Sequence, residues 1–223
     1  MLYADRPEAG RELAEALGEY AGRHDVIVLA LPRGGAPVAF EVAEALGAPL
    51  DVFLVRKLGF PGNEEFAMGA IASGGVRVLN EPILDRYGVP EAVVEAVVRS
   101  EERELKRRER SYRGDLPPLD VRGKTVIVVD DGLATGLSMR AAVTALRSLG
   151  PKRVVVAVPV GPADTVEELR QLADRVVCPA TPEPFLAVGR FYDAFDQTTD
   201  REVKDILARA RRPEPAGIEG RNA

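Results

Sequence analysis

Two aspartates, Asp130 and Asp131, stand side by side directly after the apolar run Val126-Ile127-Val128-Val129, and the chain then reads Gly132-Leu133-Ala134-Thr135-Gly136-Leu137-Ser138. Carboxylates accept hydrogen bonds. A small-residue loop that opens a helix offers the reverse, backbone N–H groups freed here by Gly132 and Gly136, and a positive helix terminus that suits an anion. The hydroxyls of Thr135 and Ser138 add donors at the same place. The glycines lie four apart rather than five and no lysine follows, so this is not the loop that grips nucleoside triphosphates. Acids beside a phosphate cradle repel a bare phosphate. A sugar phosphate reconciles the two features, because its vicinal hydroxyls donate to the acids while the loop holds the terminal phosphate. The plainer alternative makes Asp130 and Asp131 a strand end and a helix cap.

Two further strand ends carry charge next to glycine. Pro32-Arg33-Gly34-Gly35 follows Val26 to Leu31 (VIVLAL); its glycines let backbone N–H groups approach an anion closely, and Arg33 adds charge and donors. A simple turn is the competing reading. Arg56-Lys57 closes Leu50 to Val55 (LDVFLV) and precedes Leu58 to Glu65, a segment containing Pro61-Gly62 that reads as a loop. Glu64 in that loop is a candidate acid or base, and the competing reading of Arg56-Lys57 is a solvated basic pair before a surface turn.

A scaffold must bring these segments together. Asp5 and Pro7 cap an amphipathic helix that runs to about Ala21, with Leu13, Leu17 and Tyr20 on its apolar face. Val26 to Leu31, Leu50 to Val55, Thr125 to Val129, Arg153 to Val160 and Arg175 to Cys178 are apolar runs without polar alternation, the pattern of strands covered on both faces. Helices are expected after the first of them to about Leu46, from Leu137 to Leu149 and from Ala163 to Leu172, with short strands near Ala67 to Ala72 and Val76 to Leu79. Strands alternating with helices predict an α/β fold, a doubly wound, mostly parallel sheet with helices on both faces. Pro90 to Tyr112 reads as one long helix of about 34 Å at 1.5 Å per residue, and a last helix runs from Asp200 to Arg209. The expected organisation is one domain over residues 1–210, with a core at 26–178, an inserted helix at about 90–112, an irregular Pro- and aromatic-rich flap at about 179–197 and a frayed tail at 211–223.

The 223 residues are 46% hydrophobic and 29% charged, values of a globular chain. No apolar run reaches the roughly 18 residues that span a bilayer, and Met1 to Glu12 is too charged for a secretory leader, so the expectation is a soluble, cytoplasmic protein without a membrane partner. A single cysteine, Cys178, leaves no intrachain disulfide and no cysteine zinc site, and reads as a small buried residue. His24 precedes a strand and reads as a surface residue. With 35 acidic against 30 basic residues the net charge is −5, which gives no footprint for nucleic acid. The arginines between Glu101 and Arg113 do not change this, because glutamates interleave and Glu102 with Lys106 and Glu104 with Arg108 sit at i,i+4; a solvated or subunit-contacting helix fits better.

The segment Val126 to Ser138 resembles the phosphoribosyl-diphosphate (PRPP) signature of type I phosphoribosyltransferases, and its Leu-Ala-Thr-Gly stretch looks most like the adenine phosphoribosyltransferase version. The resemblance implies that Asp130 and Asp131 hold the two ribose hydroxyls and that Gly132, Leu133, Ala134, Thr135, Gly136, Leu137 and Ser138 hold the 5′-phosphate. It makes Arg33, Gly34 and Gly35 a diphosphate loop, joined by Arg56 and Lys57, with Lys57, Arg33 and Glu64 as catalytic candidates and Leu58 to Glu65 as a mobile loop. It makes residues 179–197 the variable hood over the acceptor, where Phe185, Phe191 and Tyr192 could stack on a planar base or form a local core. Two features depart from the pattern: Leu137-Ser138 stand where Gly-Thr is common, and Ala134 stands where hypoxanthine-type enzymes have an aspartate.

The activity so implied is Mg²⁺-dependent transfer of the 5-phosphoribosyl group from PRPP to a nitrogenous base, with release of diphosphate, a pentosyl transfer of nucleotide metabolism that the adenine-type likeness connects to purine salvage. The cation is expected on ligand oxygens and on no protein residue directly. The resemblance leaves room for a homodimer. A regulatory protein that binds PRPP without transferring it is the alternative from another class.

Overall fold

The computed structural model describes residues 2–60, 63–114 and 116–211, with backbone only at 63–66. Its largest element is a five-stranded, wholly parallel sheet of β1 (Val26–Ala30), β2 (Leu50–Val52), β6 (Thr125–Val129), β7 (Arg153–Ala157) and β8 (Arg175–Val177), in the order β2-β1-β6-β7-β8. Every residue of β1 and β6 is buried. Because side chains alternate along a strand, the apolar runs feed two cores. Val26, Val28, Ala30, Ile127 and Val129 face α1 (Arg6–Ala16), α2 (Gly35–Leu46), α4 (Glu91–Arg113) and α7 (Asp200–Ala210). Ile27, Leu29, Val126 and Val128 face α5 (Leu137–Ser148) and α6 (Ala163–Arg170). The expected α/β architecture with helices on both faces is therefore the observed one.

The helices start and stop where local chemistry directs. Asp5 caps α1 by accepting from the Glu8 N–H at 2.8 Å. Gly47, at φ +62°, ends α2 in the left-handed conformation that glycine adopts without strain. Thr199 and Glu202 form a reciprocal capping box on α7. The long helix α4 buries Val94, Val98, Leu105 and Tyr112 along one stripe, and its exposed positions include the charged residues Arg99, Arg103, Lys106 and Arg107. Among the described residues no helix is long and apolar enough to cross a membrane.

Between residues 50 and 80 the structure departs from the expected pattern. The run Leu50 to Val55 is not one strand: β2 ends at Val52, Phe53 and Leu54 are buried in the crossing, and β3 (Val55–Phe60) belongs to another sheet. Arg56-Lys57 consequently lie within a strand rather than after one, and the expected loop Leu58 to Glu65 is the meeting of β3 with β4 (Asn63–Ala72), antiparallel with Leu58 opposite Gly69. With β5 (Val76–Leu79) these form a separate three-stranded antiparallel sheet packed between α4 and α5. Continuous apolarity reports burial and not membership of a sheet. A short helix, α3 (Glu81–Tyr87), which Asn80 caps, was not expected either; its seven residues are too few to show a periodicity. Pro61-Gly62 and the tail beyond Arg211 lie outside the described residues.

Candidate active site

β1 and β6 are parallel neighbours with Ala30 opposite Val129, so the segments that follow them leave the sheet side by side. Here the strand order also reverses, since β1 continues to β2 on one side and β6 to β7 on the other. Such a switch point opens a crevice beyond the carboxyl ends of the strands. The Leu31 N–H donates to the Val129 carbonyl at 2.8 Å and ties the two segments at their root. A Cβ on Gly34 would fall on the Asp131 carboxylate, and one on Gly35 would stand 2.7 Å from the Val129 carbonyl oxygen. Glycine is required there because the loop after β1 touches the acids themselves. The Pro32-Arg33 peptide is cis.

The acid pair is held from three sides. The Asp131 N–H donates to Asp130 Oδ1 at 2.9 Å, and the Tyr192 hydroxyl donates to the Asp131 carbonyl at 2.6 Å. Arg6, from the first turn of α1, donates through Nε to Asp131 Oδ2 at 2.8 Å. Its guanidinium also donates to the Asp196 carbonyl at 2.7 Å and lies over the Phe195 ring, 3.9 Å from the centroid. Burial, reinforced by the charge of Asp131, pushes the Asp130 carboxyl well above the usual carboxylate range. Burial also raises Asp131, while the bond to Arg6 pulls it back toward the ionised form.

The loop between β6 and α5 splits into anchored and open residues. Gly132 and Leu133 are buried, and the Leu133 N–H bonds to the Val160 carbonyl at 2.9 Å. Ala134, Thr135, Leu137 and Ser138 are exposed. Gly136 takes φ +68° at the start of α5, where a Cβ would meet Thr165 Cγ2 at 2.7 Å, and no side chain caps the helix. That leaves the first-turn N–H groups and the hydroxyls of Thr135 and Ser138 for an anion.

The remaining candidates are placed unequally. Arg33 approaches Asp200 at 3.7 Å, and Asp200 in turn accepts from the Tyr112 hydroxyl at 2.6 Å. Arg56 and Lys57 face opposite sides of β3, as neighbours in a strand must. Arg56 pairs with Glu101 on α4. Lys57 lines a cavity of about 380 Å³ together with Gly69, Leu137 and Arg140, against the start of α5. The two therefore do not act as one basic pair. The Glu64 side chain lies outside the described residues. In the hood, Tyr192 is buried between Tyr3 and Phe195, and Phe185 and Phe191 pack on each other at 5.0 Å. The hood aromatics form a local core; Tyr192 supports Asp131 and has no free ring face for a base. Cys178 donates to the Ala180 carbonyl at 3.3 Å, and burial pushes its thiol up to about 11, which leaves it inert.

Arg6 is the site residue that sequence reasoning missed. Its partner lies 125 positions away, and Arg6 follows the cap of an amphipathic helix where a solvated charge is ordinary. Nothing local distinguishes it.

Known proteins resemble this chain in sequence and in fold. The family model for the phosphoribosyl transferase domain matches residues 3–194. A Mycobacterium tuberculosis (strain H37Rv) protein provisionally named a phosphoribosyl transferase is 48% identical over 211 residues, 95% of this chain and 47% of that protein. The chain thus spans about half the length of such curated relatives. The bifunctional protein PyrR of Chloroflexus aurantiacus is 32% identical over 124 residues, 54% of this chain and 62% of that protein. The crystal structure of TT1426 from Thermus thermophilus superposes with a TM-score of 0.84 at 45% identity, covering 94% of this chain and 99% of that one.

Proposed function

The chain belongs to the phosphoribosyl transferase domain family, and from that premise we propose that it transfers the 5-phosphoribosyl group of PRPP to a nitrogenous acceptor, releasing diphosphate. The observation that carries this reading is the meeting of Asp130-Asp131 with Gly34-Gly35 at one switch point, where a Cβ on either glycine would collide with the acid segment. Hydroxyl acceptors, an open helix terminus and a close-approach glycine loop then converge on one crevice.

In this reading Asp130 and Asp131 accept from the ribose hydroxyls, and the open residues Ala134 to Ser138 cradle the 5′-phosphate. Backbone N–H groups at Gly34-Gly35 and the Arg33 guanidinium receive the diphosphate. As the anomeric carbon becomes oxocarbenium-like, the protein positions both partners and stabilises the departing charge. Lys57, carried on β3, is the candidate that strengthens its contact as that charge grows, and Glu64 the candidate for the acceptor's proton.

Mg²⁺ fits this donor set only in part, because it demands about six oxygens and the site offers two carboxylates, one of them committed to Arg6. Among the described residues no cluster of three or more histidine, cysteine or acidic side chains could hold a metal ion. We therefore propose that the cation arrives on the oxygens of PRPP, where it would neutralise the departing diphosphate.

The test is to incubate the protein with PRPP and Mg²⁺ against purines, pyrimidines and small amines and to follow diphosphate release. Release with one acceptor class, abolished when both Asp130 and Asp131 are replaced by Asn, is the expected result. Failure to bind PRPP would overturn the reading.

A further inference from the structure

The contacts of Arg6 exceed what a surface helix needs. The side chain is about 10% exposed, it reaches from α1 to the acid pair, and each part of its guanidinium has a separate partner: the Asp131 carboxylate, the Asp196 carbonyl and the face of Phe195. A planar fork can serve all three at once, whereas an ammonium cannot. A buried ion pair contributes little net stability, because desolvation offsets most of the attraction. The arrangement is better explained by what it does to Asp131.

Asp131 Oδ2 lies between the Arg6 guanidinium and the backbone of Gly34, so this one oxygen is fixed by α1 and bounded by the loop after β1. No hydrogen bond to the other oxygen is found among the described residues. We propose that Arg6 is a positioning residue of the donor site: it pairs with Asp131 and holds it in one orientation, and so gives the two acids unequal roles, Asp131 a fixed carboxylate and Asp130 an acid without an ion pair of its own among the described residues. The proposal rests on the reading of this crevice as a PRPP site and adds to it a residue from outside the signature.

The groups facing Asp131 are Asp130 from its own loop, Arg6 from α1 and Tyr192 from the hood. Beyond Arg6, Asp5, Asp196, Glu202 and Asp205 share a cavity with it, together with Arg209. Arg6 is the cation that favours the ionised form of Asp131, so removal of the guanidinium leaves burial to favour the protonated form. Asp131 then becomes a weaker acceptor for a hydroxyl as the pH falls.

The experiment compares PRPP binding by calorimetry, with Mg²⁺ present, in wild type, Arg6→Gln and Arg6→Lys between pH 5.5 and 9. The wild-type affinity at each pH is the reference, because the raised carboxyl of Asp130 is present in every variant. Arg6→Gln should lose about 10- to 100-fold at neutral pH, more at pH 5.5 and less at pH 9. Arg6→Lys keeps the charge and should show a smaller loss with a wild-type pH profile. Thermal unfolding establishes that each variant is folded. Carboxyl NMR, with the Asp131 resonance assigned through Asp131→Asn, should show its titration midpoint rising in Arg6→Gln without any ligand. Wild-type protein that binds no PRPP overturns the donor-site reading itself. PRPP binding by wild type that Arg6→Gln leaves unchanged, or weakens equally at every pH with no shift of the Asp131 midpoint, overturns the role of Arg6 alone.

Discussion

Asp130 and Asp131 stand partly buried where the strand β6 leaves the sheet, and burial favours their neutral forms. A carboxyl whose folded pKa is raised above its unfolded value binds its proton more tightly in the native state, so stability is lost as pH rises through the folded value. Asp130→Asn should therefore raise the melting temperature at pH 8, with the gain vanishing near pH 4, where the wild-type carboxyl is already protonated. Calorimetric unfolding at the two values checks this. The same substitution should weaken PRPP binding, because a neutral amide is a poorer acceptor for a ribose hydroxyl. Gly34→Ala tests the close approach directly: its Cβ falls on the Asp131 carboxylate, and since that side chain is pinned by Arg6 it cannot move aside without breaking the pair. An affinity loss of about tenfold or more is expected in a folded protein. Unchanged affinity would separate the glycine loop from the acids.

At the scale of elements, the antiparallel sheet β3-β4-β5 and helix α4 are joined to the parallel sheet by side chains that sequence patterning does not announce. Arg113 at the end of α4 bonds to both oxygens of Asp51 in β2, at 3.1 and 3.2 Å, with each side chain about 12 to 13% exposed. Arg113→Ala leaves the Asp51 carboxylate with the Val52 N–H but without its cation and should cost about 3 kcal/mol, read from urea denaturation. Lys57 lies on β3 and faces the start of α5, while Arg56, one residue earlier, is anchored to Glu101. Movement of the hairpin would thus carry Lys57 relative to the phosphate loop. Lys57→Ala should slow transfer by about 10²-fold and weaken PRPP binding much less; wild-type turnover would return it to a surface lysine.

Across the whole molecule, stability and donor binding reside in different layers. Leu29 is fully buried in the core beneath α5 and α6. Leu29→Ala should cost about 2–5 kcal/mol in denaturant unfolding while leaving PRPP affinity in the folded fraction near wild type. Ser138→Ala, at an exposed residue of the phosphate loop, should show the reverse. A protein in which both changes moved both quantities equally would not have its site grafted on an independent scaffold.

The parallel sheet was legible because its strands are buried on both faces and their continuous apolar runs, at Val26 to Leu31 and Thr125 to Val129, have no competing explanation. The phosphate loop was legible because glycine, hydroxyl and acid lie within Asp130 to Ser138, close enough in sequence for local chemistry to specify the cradle. What lay beyond sequence reasoning depended on distance along the chain. Leu50 to Val55 is apolar except for Asp51, and only the packed structure divides it between two sheets, since the buried run from Val52 to Leu54 passes across the division without a break. Tyr192 became a support for Asp131 rather than a stacking ring, because the hood folds its aromatics onto one another. Arg6 joined the acid pair because α1 packs beside α2, whose first turn starts at the loop after β1, and this brings the start of the chain to its middle. A guanidinium carries no periodicity of its own, and its partner is chosen by the fold.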